Sequence, residues 1–276
     1  MRKLYTHYVV FTLLVLASAA FAKPTPDIAG ARRLLELVDL DRTSKGRAPL
    51  AWDDRLADAA MKHAELMADK GMLSHQFSGE PSLPLRLAET SVRLDRSGEN
   101  VAYDTSVEQA HVGLMNSPPH RANILNPDFN AIGIAIVRKG EYLYVVEDFA
   151  HRLPELQVSE VEQQVAAGFN RMRRETGQRP VQQTQVEGLR KAACSMASKD
   201  EIDARGIQVP SARHILTFTM SDTDRLPSSL HALAANPDLG SFAVGICFQR
   251  SPTYPSGVYW SIMAFFPKAE PRSGSR

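Results

Sequence analysis

Three side chains in the first half of the sequence have the types that divalent-metal and hydrolytic sites use. His75 follows Leu73-Ser74, Glu99 lies in Gly98-Glu99-Asn100-Val101-Ala102, and His120 lies in Ser117-Pro118-Pro119-His120-Arg121-Ala122-Asn123-Ile124-Leu125. Two neutral imidazoles and one carboxylate suit zinc, with a position left open for water. A carboxylate beside such water is a candidate general base, which makes Glu99 the catalytic candidate. Spacing alone defines no metal signature, because each residue falls on a different element. A loop histidine is equally at home in solvent, and an acid before a strand is also a good turn residue accepting backbone N–H groups. His63 falls on an apolar helix stripe and reads as a satisfied, buried histidine. The chain lacks G-x-S-x-G, H-E-x-x-H, a P-loop, G-x-G-x-x-G and C-x-x-C. A Rossmann enzyme, a zincin and a thioredoxin-type oxidoreductase are thereby disfavoured.

The elements that must position these groups are legible in outline. Ile28, Ala31, Leu35 and Val38 predict a helix over 28–40. Asp53 or Asp54 predicts the cap of a second helix, with Leu56, Ala60, His63 and Met67 facing inward and Gly71 as its left-handed stop. Residues 76–98 read as an irregular loop. Ser106 with Gln109 predicts a capping box for a helix through Ala110, His111 and Leu114. Ser117-Pro118 predicts the start of a short helix. Residues 132–137 and 142–147 predict a hairpin across Lys139-Gly140.

Of the 276 residues, 43% are hydrophobic and 23% charged, and the formal net charge is +1. That is ordinary for a globular chain and gives no basic surplus for nucleic acid. Arg2 and Lys3, the apolar run over 8–20 and Ala20-Phe21-Ala22 predict a secretory signal over 1–22, with the exported chain starting at Lys23. The run is too short for a spanning helix, which needs about 20 apolar residues. No integral membrane segment is expected after cleavage, and residues 269–276 read as a disordered tail.

The order of elements recurs in the second half. Arg42, Gly46 and Pro49 match Arg173, Gly177 and Pro180, and Leu56-x-x-Ala59-Ala60 matches Leu189-x-x-Ala192-Ala193. Ile132-Gly133-Ile134 matches Val244-Gly245-Ile246, each before a hairpin. An internal duplication is expected, with domains over 23–152 and 158–268. The stretch from Gly177 to Gly245 is about 19 residues shorter than that from Gly46 to Gly133.

The motifs LSH, GENVA and SPPHRANIL, followed by Ile132-Gly133-Ile134 and YVVEDFA, make residues 30–151 resemble a bacterial CAP domain, also called an SCP domain. That superfamily includes cysteine-rich secretory proteins, antigen 5 and plant pathogenesis-related proteins. The resemblance implies an α+β fold, a three-layer α–β–α sandwich with a central cleft, here in two tandem copies. It implies His75 and His120 as histidines that hold zinc or another divalent cation, with Glu99 as one cleft acid. The family's second acid falls at Ser117, so it is missing here. Asn100, His111 and Arg121 are then expected around the cleft, with Arg121 pairing either with Glu99 or with a helix end. Loss of the second acid favours binding over hydrolysis. The GEN and HR-NIL motifs are absent from the second half, which reads as a degenerate copy with a scaffold or partner-binding role.

The CAP scaffold also bears on the two cysteines. Cys194, placed on the first helix of the second half, and Cys247, placed on its first hairpin strand, approach if that helix packs across the sheet. An oxidising compartment then favours a disulfide, the alternative being two separate buried thiols. The expected function is a secreted or periplasmic protein whose first-domain cleft binds a divalent cation, a small ligand or a lipid. The rivals are a metal-assisted hydrolase acting on peptide or cell-envelope substrate, and a non-catalytic envelope interaction module.

Overall fold

The structure is a computed structural model that describes residues 23–268. The expected signal over 1–22 and tail over 269–276 lie outside the described residues. The chain forms two β-sheets in sequence, each with helices packed on it.

The first sheet is built from β1 (Thr25–Pro26), β2 (Ala51–Trp52), β3 (Leu94–Asp104), β4 (Ala131–Lys139) and β5 (Tyr142–Arg152), in the order β1-β4-β5-β3 with β2 parallel to β4. Its helices are α1 (Ile28–Ser44), α2 (Asp54–Lys70), α3 (Leu83–Glu89), α4 (Val107–Asn116) and α5 (Pro118–Ile124). Strand alternation sorts the core into two faces. Ile132, Ile134, Val145 and Phe149 meet Leu34 and Val38 of α1 and Leu114 of α4. Val101, Ala135, Val137 and Val146 meet Ala60, Ala64 and Met67 of α2 on the opposite face. The result is helix, sheet and helix in three layers.

Local chemistry sets the helix ends. The Asp53 carboxylate accepts from the amides of Arg55 and Leu56 at the start of α2. Gly71 ends that helix at φ 64°, a left-handed conformation that costs glycine little. Ser106 accepts from the Gln109 amide, but Gln109 Oε1 accepts from Thr105 instead of closing a capping box. At Gly133 a Cβ would lie 2.1 Å from the Ala57 amide nitrogen, so only glycine lets α2 lie this close to the sheet.

Two expectations need correction here. The buried stripe of α1 is Ala31, Leu34, Val38 and Arg42, while Ile28 is exposed. Arg42 rotates the stripe: its guanidinium is buried and donates to the carbonyls of Ala48, Ile124, Asn126 and Phe129. The stretch 76–98 is not all loop, since it holds α3 and the first half of β3. Seven residues are too few to show a helical period. What holds α3 is Leu87, fully buried among Leu56, Ala59 and Leu94.

The second sheet has β6 (Gln182–Gln183), β7 (His214–Met220), β8 (Leu239–Gln249) and β9 (Val258–Pro267), ordered β6-β8-β9-β7 with β6 parallel to β8. Its helices are α6 (Val158–Glu175), α7 (Leu189–Lys199) and α8 (Leu230–Ala234). Arg173 repeats the pattern of Arg42, donating to the carbonyls of Arg179, Ala234 and Asn236. Gly245 repeats Gly133: a Cβ there would lie 2.6 Å from the Leu189 carbonyl carbon. Cys194 and Cys247 form a disulfide between α7 and β8, with Cα atoms 5.0 Å apart. Cys194 sits on the second helix of this half, not the first, because α6 precedes it.

Arg93 joins the two units. It donates to Pro154 O at 2.7 Å, to Tyr259 Oη at 2.5 Å and to Ser221 O at 3.0 Å. Its guanidinium also lies over the rings of Phe248 and Tyr259, at 4.6 and 4.5 Å from their centroids.

Candidate functional site

His75, Glu99 and His120 reach one another around β3, an edge strand of the first sheet. Glu99 is on the α2 face of β3 and its side chain is buried. His75 leaves the loop after Gly71, and its Nδ1 lies 2.9 Å from Glu99 Oε1. A carboxylate can only accept, so Nδ1 carries the hydrogen, and in the neutral ring the lone pair is on Nε2. The His75 side chain is 57% exposed. His120 comes from α5, and its ring centroid lies 6.3 Å from that of His75. Burial and the neighbouring His75 both hold His120 below the ordinary imidazole pKa, which favours the neutral, ligating form.

Glu99 is tied down on both oxygens. Oε2 accepts from Arg86 of α3 while Oε1 faces His75. Arg86 also donates to Glu80 Oε1 at 2.9 Å and to His75 O at 3.1 Å. His63 is fully buried beneath this network, with Nδ1 2.6 Å from Glu80 Oε1 and Nε2 2.8 Å from Ser74 O. Both of its nitrogens are engaged, so it offers no lone pair to a ligand. Burial pushes Glu80 up, but the Phe77 amide and His63 outweigh it, and the net pKa is low.

The remaining expected residues divide between this site and its supports. Asn100 is buried and donates to His120 O at 3.1 Å and to Glu147 Oε2 at 2.9 Å. Asn123 of α5 donates to Glu99 O at 3.2 Å and to Asn100 Oδ1 at 2.9 Å. Together these amides fasten α5, and so His120, to the edge strand. Ser117 precedes α5 without a side-chain cap bond. Arg121 donates to Met115 O at the end of α4, the helix-end alternative. His111 faces α1, where its Nε2 lies 2.8 Å from Asp41 Oδ2, and it makes no hydrogen bond to His75, Glu99 or His120.

Two acids of β5, beyond the expected set, reach the site. Glu147 and Asp148 are fully buried, and Asp148 is the cross-strand partner of Glu99. Neither Asp148 oxygen has a hydrogen-bond partner, nor does Glu147 Oε1. Burial pushes Glu147 up to about 7, with the Asn100 bond partly offsetting it. Burial raises Asp148 well above the usual carboxylate range, repulsion from Glu99 adds to the rise, and Arg86 opposes it. Two acids in succession inside YVVEDFA are a readable signal, since a central strand buries both of its faces.

With Zn–N bonds of about 2.0–2.1 Å and a tetrahedral angle, the two ring centroids of a bis-imidazole site lie roughly 5 Å apart. His75 and His120, at 6.3 Å, stand about 1 Å wider than that, so the half-exposed His75 ring would have to turn toward His120 for both to ligate one cation. A metal-binding histidine commonly donates its other N–H to a carboxylate, as His75 does to Glu99. Among the described residues no group of three or more His, Cys, Asp or Glu side chains is gathered as a metal site. The protein ligands here would therefore number two.

Residues 35–149 match the model of the cysteine-rich secretory protein family, CAP. That match lies within the first unit. The uncharacterized membrane protein YlbC of Bacillus subtilis (strain 168) is 34% identical over 122 residues, covering 44% of this chain and 34% of that protein. The uncharacterized protein YkwD of the same organism is 31% identical over 118 residues, covering 42% of this chain and 46% of that protein. The chain thus spans less than half the length of these curated relatives. Among solved structures, an extracellular protein containing an SCP domain from Bacillus anthracis str. Ames is 29% identical, covering 44% of this chain and 40% of that chain, with a TM-score of 0.41. Among the described residues no helix is long and apolar enough to cross a membrane.

Proposed function

We propose that the first unit is a binding module whose cleft holds a divalent cation between His75 and His120, with water completing the coordination. The observation that carries this reading is the contact of His75 Nδ1 with Glu99, which leaves Nε2 free on an exposed ring beside His120. The cation, when bound, supplies a Lewis acid at the mouth of the cleft. Glu99 orients His75, Arg86 holds Glu99, and Asn100 with Asn123 fastens the helix of His120.

Binding is favoured over hydrolysis because Ser117 stands where the second cleft acid would be, and Glu99 is held by His75 and Arg86 on its two oxygens. A small ligand, lipid or cell-envelope component bearing an oxygen donor would complete the site. The second unit, over 158–268, is read as a reduced copy of the first, over 23–152. The shared bonds of Arg42 and Arg173, and the shared close approaches at Gly133 and Gly245, support that reading. A secreted or periplasmic location accords with the Cys194–Cys247 bridge, since disulfides persist in oxidising compartments.

Zinc titration by calorimetry tests the proposal. The full chain is expected to bind one equivalent with micromolar or weaker affinity, and the His75→Ala/His120→Ala variant to bind none at this site. Glu99→Gln is expected to weaken binding by about tenfold. Unchanged binding by the double variant overturns the assignment.

A further inference from the structure

The two units differ most where α2 and α7 leave the sheet, and that difference opens a cavity. In the first unit Leu56 and Ala59 of α2 lie under Leu83 and Leu87 of α3, and both are almost wholly buried. His63, one turn further along, is covered by Glu80 and Arg86. By the close approaches at Gly133 and Gly245, the residues of α7 that match these are Leu189, Ala192 and Met196. No helix stands between α7 and β7, so nothing corresponds to α3. The seven residues of α3 account for part of the roughly 19-residue difference between the halves.

In place of α3 the second unit has a cavity of about 470 Å³. Its apolar lining is Leu189, Ala192, Met196, Ile207 and Val209, between α7 and the segment 201–209. Cys194, on the same helix, is bonded to Cys247 of β8, so the wall formed by α7 is fixed covalently to the sheet. A concavity of this volume, its wall part apolar and part polar, has the size of a small-molecule site.

The rim carries three carboxylates, Glu187, Glu201 and Asp203, against two cations, Lys199 and Arg205. Arg205 is already engaged, 3.0 Å from Asp203 Oδ1 and 3.8 Å from Glu201 Oε1. Glu187 precedes Gly188, the N-cap of α7, and among the described residues neither Glu187 nor Lys199 makes an ion pair. Lys199 stands at the far end of the same helix. We propose that the second unit binds a small ligand with an apolar body and a cationic end, the body against Ala192, Ile207 and Val209 and the cation beside Glu187. The loss of α3 would then have given this unit a site of its own, distinct from the histidine cleft of the first.

The test uses the full chain, isotope-labelled for amide NMR, with 4-phenylbutylamine, 4-phenylbutanol and 4-phenylbutyrate as probes. Saturable shifts are expected over 187–209, with the amine binding about fivefold tighter than the acid, the size of one exposed charge interaction. Glu187→Gln should bring the amine and the acid to similar affinity. Ala192→Phe, which fills the cavity, should abolish the shifts, and Ser195→Trp on the exposed lining does so if Ala192→Phe fails to fold. Absence of saturable shifts in this segment, or equal binding of acid and amine by the unmodified chain, overturns the proposal.

Discussion

Replacing Glu147 by glutamine isolates the free energy stored in a buried acid. Glu147 is fully buried and its pKa is pushed up to about 7, against about 4.5 for an exposed glutamate. The neutral acid is the form the fold accepts. Between those two values the folded chain holds a proton that the unfolded chain has released, so stability falls as pH rises. The contribution is complete below about pH 4.5, is lost by about pH 7 and is flat above. A shift of about 2.5 units at about 1.4 kcal/mol each gives about 3 kcal/mol. Asp148, raised by the same burial, acts in the same direction. In Glu147→Gln the amide oxygen can still accept from Asn100, and the NH2 group takes the place of the unpartnered Oε1. Urea unfolding at pH 5 and pH 8 reads the difference. The variant should exceed the parent by less than about 1 kcal/mol at pH 5 and by about 3 kcal/mol at pH 8. Parallel stability–pH curves for the two proteins would refute the burial argument.

Other expectations follow from single contacts. Cys194→Ser/Cys247→Ser opens a loop with a sequence separation of 53 residues and should cost about 4 kcal/mol on a chain-entropy basis, read as a lowered urea midpoint that reductant no longer changes. Gly133→Ala should cost at least about 3 kcal/mol or prevent folding, because the added carbon meets the backbone of α2; calorimetric unfolding of the variant checks this. Arg93→Ala/Arg250→Ala removes the polar contacts that these two arginines make between the units and should split a single calorimetric transition into two, while an unchanged single transition would show that they are dispensable.

The helix–strand order of the first unit was legible because its signals are local: Asp53 and Gly71 bracket α2, and alternation writes out β4 and β5. The sequence also marked His75, Glu99 and His120, but not what each would do. Spacing cannot show that Arg86 occupies one oxygen of Glu99, because α3 exists only through its packing on Leu56 and Ala59. His111 was misleading for a related reason. Its position on α4 is right for a helix edge, but the side chain turns to Asp41 across the α1–α4 contact. Glu147 and Asp148 stood in plain view within an apolar strand, yet their burial depends on β5 lying between β3 and β4. In the second unit the absence of the GEN and HR-NIL motifs was readable, whereas the cavity beside α7 depends on how the segment 201–209 packs against that helix.

X-ray absorption at the zinc edge of the full chain loaded with one equivalent tests the histidine cleft most directly. Two imidazole nitrogens at about 2.0–2.1 Å are expected, with oxygen from water filling the rest of the shell. His75→Ala should lose one imidazole and His75→Ala/His120→Ala both. A first shell without imidazole scattering, or one unchanged in the double variant, would contradict the assignment.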